Sequence, residues 1–226
     1  MYKDKTILII QPGLNGDIIN ELPIAKYYCD KGFSVEWLCP KEYHQMFRNI
    51  SYCTPIEYTK DQYFDVIDLT FGFGGPPERW WQMTKPRWKS FIEAKYHLAR
   101  VEVSERYNLV WDRDVKREKS LARLLNATGE YYVFHDLGSK GPLPLDLERD
   151  YRGIRFEKVQ DYNVFDWYEV LSNAKEIHCT SSLLYMFVDS AFRENTNKYL
   201  HLNRKIARGD ELLPIGWKLI DYEEKL

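Results

Sequence analysis

The sequence contains few cysteines and no long hydrophobic run, and each shortage excludes a class of protein. Four cysteines occur among its 226 residues, and no two of them form a C-x-x-C pair. We therefore expect reduced thiols in a cytosolic protein instead of a disulfide framework. The apolar run Ile7–Ile10 is too short for a signal peptide or a membrane span, so it predicts a buried strand. The cysteines are Cys29, Cys39, Cys53 and Cys179.

The sequence also lacks a charge excess and an obvious metal-binding motif. It carries 32 basic and 34 acidic residues, for a formal net charge of −2, so nothing draws the whole chain onto a polyanion. The five histidines have no metal-ligand spacing with the cysteines. We predict no metal and no other cofactor, although Asp65, Asp68 and Asp136 leave an acidic metal site open.

Apolar and aromatic residues, in contrast, are plentiful. Hydrophobic residues make up 44% of the chain, which is enough for a sizeable core, and aromatic residues make up 15%. Tyr and Trp have flat faces and polar tips that suit sugars and bases, but most of them are expected simply to fill the core. One aromatic and basic group fits either an exposed stacking surface or a packed anchor. It comprises Trp80, Trp81, Arg87 and Trp88.

Strand and helix patterns alternate along the first half of the chain. Thr6–Gln11 predicts a strand, a helix follows from Asp17 to the stop at Lys31-Gly32, and Ser34–Cys39 predicts a second strand. Such a unit implies a right-handed crossover and a parallel sheet. The further predicted elements are a short helix at Pro40–Ile50, a strand at Phe64–Leu69, and helices at Lys89–Arg100 and Arg113–Ala127.

The pattern breaks at Asn126–Glu130, and we place the boundary between two domains, 1–127 and 128–226, at this point. The second half alternates again, which predicts an α/β protein of two Rossmann-like halves facing a cleft that holds the working site. Its predicted strands are Tyr131–His135, Arg152–Val159, Glu176–Cys179, Lys198–Leu202 and Ile215–Asp221. Its predicted helices are Phe165–Ala174 and a stretch from Ser182 to about Arg193, and its main loop is Asp136–Pro144.

The loop after the first strand is the first candidate for a site, because ligands of open parallel sheets bind at the carboxyl ends of strands. Its glycines, Gly13 and Gly16, let the backbone approach a ligand closely, but the loop lacks the G-x-G-x-x-G spacing of a dinucleotide site. Asp17 fits two interpretations equally. It is either a helix N-cap, whose pKa the helix dipole lowers, or a base that accepts a proton from an attacking hydroxyl.

Three further loops follow predicted strands. Phe71–Pro77 is glycine-rich. Thr180–Ser182 opens a helix, where free backbone N–H groups can hold a phosphate, although ordinary capping is the simpler interpretation. His135–Lys140 combines a titratable ring with a lysine that can meet a diphosphate, or His135 is merely a hydrogen-bonded residue at a strand end.

Two segments resemble glycosyltransferases of the GT-B fold, specifically the heptosyltransferase-like kind. Residues 16–25, GDIINELPIA, resemble the G-D-x-(I/V)-x-x-x-P segment that follows their first strand. Residues 165–190, FDWYEVLSNAKEIHCTSSLLYMFVDS, resemble the donor-domain segment, in which a short helix leads to a strand, a Ser/Thr-rich turn and a helix beneath the nucleotide sugar. The order of the two segments agrees with an acceptor half first and a donor half second.

The resemblance implies an inverting, metal-independent transfer of a sugar from a nucleotide-sugar donor, which is a co-substrate, to a glycan or other hydroxyl acceptor. It implies that Asp17 is the general base. It assigns donor binding to His135, Ser139, Lys140, Thr180, Ser181 and Ser182. Gly13, Asn15, Gly16, Arg79 and Trp81 are the remaining loop and acceptor-side candidates.

The sequence departs from this family at the donor turn. The family's D-(T/S)-G-x-x-H pattern corresponds here to residues 180–185, TSSLLY, without the glycine and the histidine. That change and the short chain favour an alternative, a non-catalytic nucleotide- or glycan-binding module. A third hypothesis is sugar transfer to nucleic acid, which the Arg79–Lys89 stretch supports and the net charge disfavours.

Overall fold

A computed structural model gives the fold and describes residues 2–70, 90–138, 141–143, 145, 147–195, 197–202 and 216–222. The strands are β1 (Tyr2–Ile10), β2 (Ser34–Leu38), β3 (Thr54–Ile56), β4 (Gln62–Asp68), β5 (Tyr131–His135), β6 (Leu137–Gly138), β7 (Gly141–Pro142), β8 (Arg152–Arg155), β9 (Glu176–Cys179), β10 (Lys198–Leu202) and β11 (Trp217–Asp221). The α-helices are α1 (Asn15–Asp30), α2 (Phe91–Leu98), α3 (Val115–Leu124), α4 (Tyr168–Ser172) and α5 (Leu183–Ala191). Short 3₁₀ helices span Lys41–Phe47, Val103–Tyr107 and Val164–Trp167.

The first sheet is parallel throughout and has the strand order β3-β2-β1-β4. In its inner strand β1, Ile7, Leu8 and Ile9 are all buried, as expected for a strand that is covered on both faces. Each such side chain contributes roughly 1.5–3 kcal/mol of burial free energy. Helix α1 connects β1 to β2, so the predicted strand–helix–strand unit is confirmed.

Helix α1 ends at the glycine that the sequence indicated. Gly32 has a φ of 84°, in the left-handed region, and its N–H donates to the carbonyl of Cys29 at 2.9 Å. The N–H of Phe33 donates to the carbonyl of Tyr28 at 3.2 Å, and the two rings lie edge to face. These two bonds and the ring contact form a Schellman motif, which satisfies carbonyls at the end of the helix.

The second sheet is also parallel, with the strand order β11-β10-β9-β5-β8. Its inner strands bury Val133 on β5 and Ile177 on β9, each fully. The α/β class with Rossmann-like parallel sheets is therefore confirmed.

The chain forms two compact units that divide between Asp112 and Arg113, which differs from the predicted boundary after residue 127. Helix α3 belongs to the second unit because it packs against α4 and against the 3₁₀ helix Val164–Trp167 that precedes α4. Arg117 pairs with Asp166 at 3.1 Å, and the guanidinium of Arg113 lies 4.0 Å from the centre of the Tyr168 ring. The break at Asn126–Glu130 is the connection from α3 to β5 within one unit.

Two predicted segments have a different form in the structure, and one strand was not predicted. The predicted loop Asp136–Pro144 contains the short antiparallel pair β6–β7, and the helix predicted at Pro40–Ile50 is a 3₁₀ helix. Strand β3 was not predicted at all. Elements this short carry too few residues to express a periodicity, so their patterns cannot be distinguished from loops.

Candidate active site

In each sheet, the direction in which strands are added reverses at one point, and the predicted site loops follow the strands at these points. In the first sheet the chain proceeds from β1 to β2 and β3, and β4 then joins the other side of β1. In the second sheet β8 joins one side of β5, and β9 to β11 join the other. Reversals of this kind open a crevice beyond the carboxyl ends of the two strands, here β1 with β4 and β5 with β9.

Asp17 follows β1 as the third residue of α1 and does not cap the helix. The N-cap residue is Leu14, which makes no side-chain capping bond. The carboxylate of Asp17 instead faces Lys95 on α2, with 3.8 Å between Oδ1 and Nζ. The N-cap interpretation of Asp17 is therefore wrong, because the helix begins earlier, at Asn15.

Lys95 joins two carboxyl groups of α1 in a buried group that we call the Lys95 cluster, formed by Gln11, Asp17, Glu21 and Lys95. The Lys95 ammonium donates to Glu21 Oε1, and Gln11 Nε2 donates to Glu21 Oε2 at 2.5 Å. The side chains of Lys95 and Glu21 are 1% and 2% exposed, whereas that of Asp17 is 22% exposed. Asp17 is thus the carboxyl group that a ligand can reach.

Burial raises the pKa of both carboxyl groups in the cluster. At Asp17, desolvation outweighs the attraction of Lys95, so its pKa lies above the usual range. At Glu21, desolvation and the neighbouring charge of Asp17 outweigh Lys95 and raise the pKa to about 7. The predicted lowering of the Asp17 pKa by the helix dipole is therefore wrong, and a raised pKa makes its carboxylate a better base near neutral pH.

The loop before α1 is packed closely and holds an unusual backbone conformation. A Cβ at Gly13 would lie 2.8 Å from the ring of Tyr43, so the close approach that glycine permits here is to that ring. Leu14 has a φ of 49°, in the left-handed region that costs a leucine roughly 1–2 kcal/mol. Asn15 Oδ1 is buried and has no hydrogen-bond partner among the described residues. Gly16 lies half-buried in the first turn of α1.

In the second unit, the ends of β5 and β9 bring His135 and Ser182 together. His135 Nδ1 and Ser182 Oγ lie 2.7 Å apart, in hydrogen-bond contact. Burial lowers the pKa of His135 to about 4, with the charge of Asp136 opposing this effect, so the ring is neutral at pH 7. The edge of the ring meets Phe156 at 5.0 Å between centroids. His135 thus orients the Ser182 hydroxyl as a neutral partner.

The turn before α5 contains one buried hydroxyl without a partner and an N-cap side chain that does not cap the helix. Ser182 is the N-cap residue but makes no side-chain capping bond, so the capping interpretation does not hold for its side chain. The buried hydroxyl of Thr180 has no hydrogen-bond partner within the described ranges. The carbonyl of Ser181 lies 3.1 Å from the place where a Gly138 Cβ would be, so β6 lies against the turn. Uncapped N–H groups at a helix start are suited to the oxygens of a phosphate.

Four of the predicted site residues, Ser139, Lys140, Arg79 and Trp81, lie outside the described residues. The same is true of the loop 71–77 and of Trp80, Arg87 and Trp88. Their roles stay predictions. Asp17 directly follows the Gly13–Gly16 loop in the sequence, and the structure brings His135 into contact with Thr180 and Ser182 in the second unit.

Sequence reasoning missed Gln11, Glu21 and Lys95. Glu21 had a usable signal, because it lies four residues after Asp17 and residues so spaced share one helix face. Lys95 had none, since a lysine in a segment with other charged residues is usually solvated, and only the folded structure buries it. Gln11 closes a predicted strand and gives no sign of its own that it meets Glu21.

A second buried polar cluster lies within the second sheet. His178 Nδ1 contacts His201 Nε2 at 2.9 Å, His178 Nε2 contacts Glu176 at 3.0 Å, and His201 Nδ1 contacts the Tyr222 hydroxyl at 2.9 Å. Burial would raise the pKa of Glu176, but hydrogen bonds from Arg149 and His178 outweigh it and lower the pKa to about 2. Burial lowers the pKa of His178, and it lowers that of His201 to about 4. The pair is therefore neutral at pH 7, beside a carboxylate.

A cavity of about 620 Å³ lies elsewhere in the first unit, lined by residues that include Lys26, Tyr27 and Tyr107. It contains none of the predicted site residues. In the part of the chain that the structure describes, no three His, Cys, Asp or Glu side chains are grouped to hold a metal ion. No helix within the described ranges is long and apolar enough to span a bilayer.

Comparisons with known proteins give one likeness. No protein-family model matches this chain, and no curated protein sequence matches it significantly. Among solved structures, the chain is similar to a glycosyl transferase of family 9 from Veillonella parvula DSM 2008, with a TM-score of 0.48 and 9% sequence identity. The match covers 97% of this chain and 86% of the other. Identity at this level transfers no residue roles between the two chains.

Proposed function

We propose that this protein is a glycosyltransferase that moves a sugar from a nucleotide-sugar donor to an acceptor hydroxyl, with inversion and without a metal ion. The observation that carries the proposal is Asp17, a partly exposed carboxyl group beside the reversal point of the first sheet, with a raised pKa and a lysine next to it. The resemblance of residues 16–25 and 165–190 to heptosyltransferase-like enzymes gives the same position the role of base.

The proposed step forms one bond and breaks another. Asp17 accepts the proton of the acceptor hydroxyl while the acceptor oxygen bonds to the anomeric carbon of the sugar. The bond from that carbon to the donor's diphosphate breaks, and its electron pair leaves with the diphosphate. Since the carboxylate is held by Lys95 in a largely buried site, its position is fixed before the acceptor arrives.

The second unit supports the proposal with a place for the leaving diphosphate. Ser182, the N-cap residue of α5, makes no side-chain capping bond, and the neutral ring of His135 fixes its hydroxyl at the start of the helix. Aligned backbone donors stabilise the negative charge that develops on the leaving group. Lys140 and Ser139 are assigned to the same donor site on the sequence resemblance alone. We also place the protein in the cytoplasm, because its cysteines suit a reducing compartment.

The first experiment measures binding of a panel of nucleotides and nucleotide sugars by thermal shift and then by calorimetry. We expect one UDP-, GDP-, CMP- or ADP-sugar to stabilise the protein and to act as donor with a glycan acceptor. If no nucleotide binds at millimolar concentration, the proposal is wrong. Binding without transfer to any acceptor supports the alternative of a non-catalytic binding module.

The variant Asp17→Asn separates catalysis from donor binding. It keeps the shape of the side chain but removes the base, so we expect donor affinity to change less than twofold and transfer to fall by about 10²–10⁴-fold. The matched control is Asp30→Asn at the exposed C-terminal end of the same helix, where transfer should be unchanged. Transfer at the unaltered rate in Asp17→Asn would contradict the assigned role.

A further inference from the structure

Lys95 faces two carboxyl groups with a single positive charge. It reaches them from α2, with Asp17 at 3.8 Å and Glu21 in direct hydrogen-bond contact, and all of its side chain but 1% is buried. Asp17 and Glu21 lie one turn apart on α1, so they approach Lys95 from the same side. The cluster therefore contains two groups that can carry a negative charge and one that carries a positive charge.

The other described groups around the cluster contribute hydrogen bonds and packing. Gln11 donates an amide N–H to Glu21, and the Tyr96 hydroxyl donates to the carbonyl of Asn20 at 2.7 Å beside it. The charge of Arg106, on the Val103–Tyr107 helix, interacts electrostatically with the Tyr96 hydroxyl, and the ring of Tyr43 lies against Gly13. Among the described residues, Lys95 is the cation that forms ion pairs with both carboxyl groups.

With both carboxyl groups ionised the cluster carries one net negative charge in a mostly closed site, and one proton makes it neutral. A low-dielectric site favours the neutral form, so the two carboxyl groups together bind one proton more readily than an exposed pair would. Glu21 is closed to solvent and bonded to both Lys95 and Gln11, while Asp17 is open. A proton that arrives from a ligand therefore ends on Asp17, and Lys95 stays with Glu21.

We propose that Glu21 and Lys95 are positioning residues that hold Asp17 as a base, because Glu21 takes most of the charge of Lys95 and leaves Asp17 only partly compensated. Neither residue touches the substrate. Their catalytic meaning rests on the proposed function, but their effect on the proton affinity of Asp17 does not.

The test follows the titration of Asp17 in the full chain by carboxyl ¹³C NMR. In Glu21→Gln, Lys95 has only Asp17 to neutralise, so we expect the apparent pKa of Asp17 to fall by about one unit. In Lys95→Met, the two carboxyl groups lose their cation, so the apparent pKa of Asp17 should rise by about one unit or more. Opposite shifts from two substitutions in one cluster are not expected of residues that serve packing alone.

The double variant Glu21→Gln/Lys95→Met keeps the net charge of the cluster, so it should fold if Lys95→Met alone does not, and it should place the Asp17 pKa between those of the two single variants. Asp30→Asn is the control and should leave Asp17 unchanged. An unchanged Asp17 titration in Glu21→Gln, or a shift upward, overturns the inference. Since no donor or acceptor is needed, a failed transferase assay leaves this result intact, and a failed titration leaves the transferase assay to be decided separately.

Discussion

Glu176 sets the direction of the hydrogen bonds that pass through two buried histidines. Its carboxylate can only accept, so His178 must donate to it from Nε2, which leaves Nδ1 of His178 as an acceptor. His201 then donates from Nε2, and its own Nδ1 accepts from the Tyr222 hydroxyl. In this row of hydrogen bonds from Tyr222 to Glu176, each donor meets one acceptor when both rings are neutral.

We therefore predict that both rings carry their proton on Nε2 at pH 7. Two-dimensional ¹H–¹⁵N NMR of the imidazole nitrogens distinguishes this tautomer from the other. In Glu176→Ala the acceptor at the end is lost, and we expect the free energy of unfolding to fall by about 1–3 kcal/mol. A proton on Nδ1 of His178 would contradict the derived direction.

Residue roles that depend on strand order were hidden from the sequence. Asp17 could be selected because it follows an apolar strand and precedes a helix, and both features are local. The contact between His135 and Ser182 requires that β5 and β9 be neighbours, although β8 lies between them in sequence. Likewise, His178 lies opposite Tyr199 in the β9–β10 alignment, so its diagonal contact with His201, two residues further on the same face, could not be seen in any local pattern.

At the scale of elements, the end of α1 gives a sharp stability prediction. Gly32 has a left-handed φ, and a Cβ added there would contact no other atom. Gly32→Ala should therefore be destabilised only by the unfavourable backbone conformation that alanine has to adopt. We expect the free energy of unfolding to fall by about 1 kcal/mol in urea denaturation.

Two variants serve as controls for that change. Gly32→Asn should cost less than Gly32→Ala, because asparagine tolerates the left-handed region better. Lys31→Ala, at the neighbouring position with an ordinary φ of −86°, should change stability little. Equal losses in all three variants would show that the motif does not depend on backbone conformation.

Long elements could be predicted from the sequence, and their ends less well. Strand β1 has an apolar run, and helix α1 an apolar face, that is long enough to identify the type of element. The start of α1 was misplaced because Asp17 is a common capping residue, whereas Leu14 with a positive φ is a rare one. The strands β3, β6 and β7 were too short to leave a pattern.

At the scale of the whole molecule, buried groups in the two units should change the free energy of unfolding in opposite directions as pH falls. The neutral histidines His135 and His201, in the second unit, have a pKa of about 4 in the folded state, against 6.5 in the unfolded chain. Below pH 6.5 the unfolded chain binds more protons, so stability falls until about pH 4. Glu21, in the first unit, has a raised pKa of about 7, so between pH 7 and 4.5 the folded state binds more protons and its contribution grows as pH falls.

Denaturation by urea at pH 7 and pH 5 measures both contributions. Between pH 7 and pH 5, we expect the free energy of unfolding of His201→Gln to fall by about 2 kcal/mol less than that of the unaltered protein. The reason is that the variant lacks one histidine that is neutral when folded and becomes protonated when unfolded. The free energy of unfolding of Glu21→Gln should fall by more than that of the unaltered protein, since the variant lacks the stabilising proton uptake of Glu21 in the folded state. The same pH dependence in all three proteins would contradict the assigned protonation states.

The division into two units followed from the repeated alternation of strands and helices, but its position did not. The stretch Asn126–Glu130 follows the end of a helix and contains a glycine with a φ of 69°. A sequence of this kind ends a helix both at a domain boundary and at a connection within one domain. The assignment of α3 depends on contacts such as that of Arg117 with Asp166, far apart in sequence.

The contiguity of the first sheet has a consequence for biosynthesis. All four of its strands are complete at Asp68, whereas the second sheet begins only at Tyr131. At a translation rate of roughly 5–20 residues per second, the stretch that contains the second sheet takes on the order of ten seconds to emerge after the first. The first sheet can therefore form on the ribosome without waiting for any strand of the second, and the order of synthesis can set the order of folding.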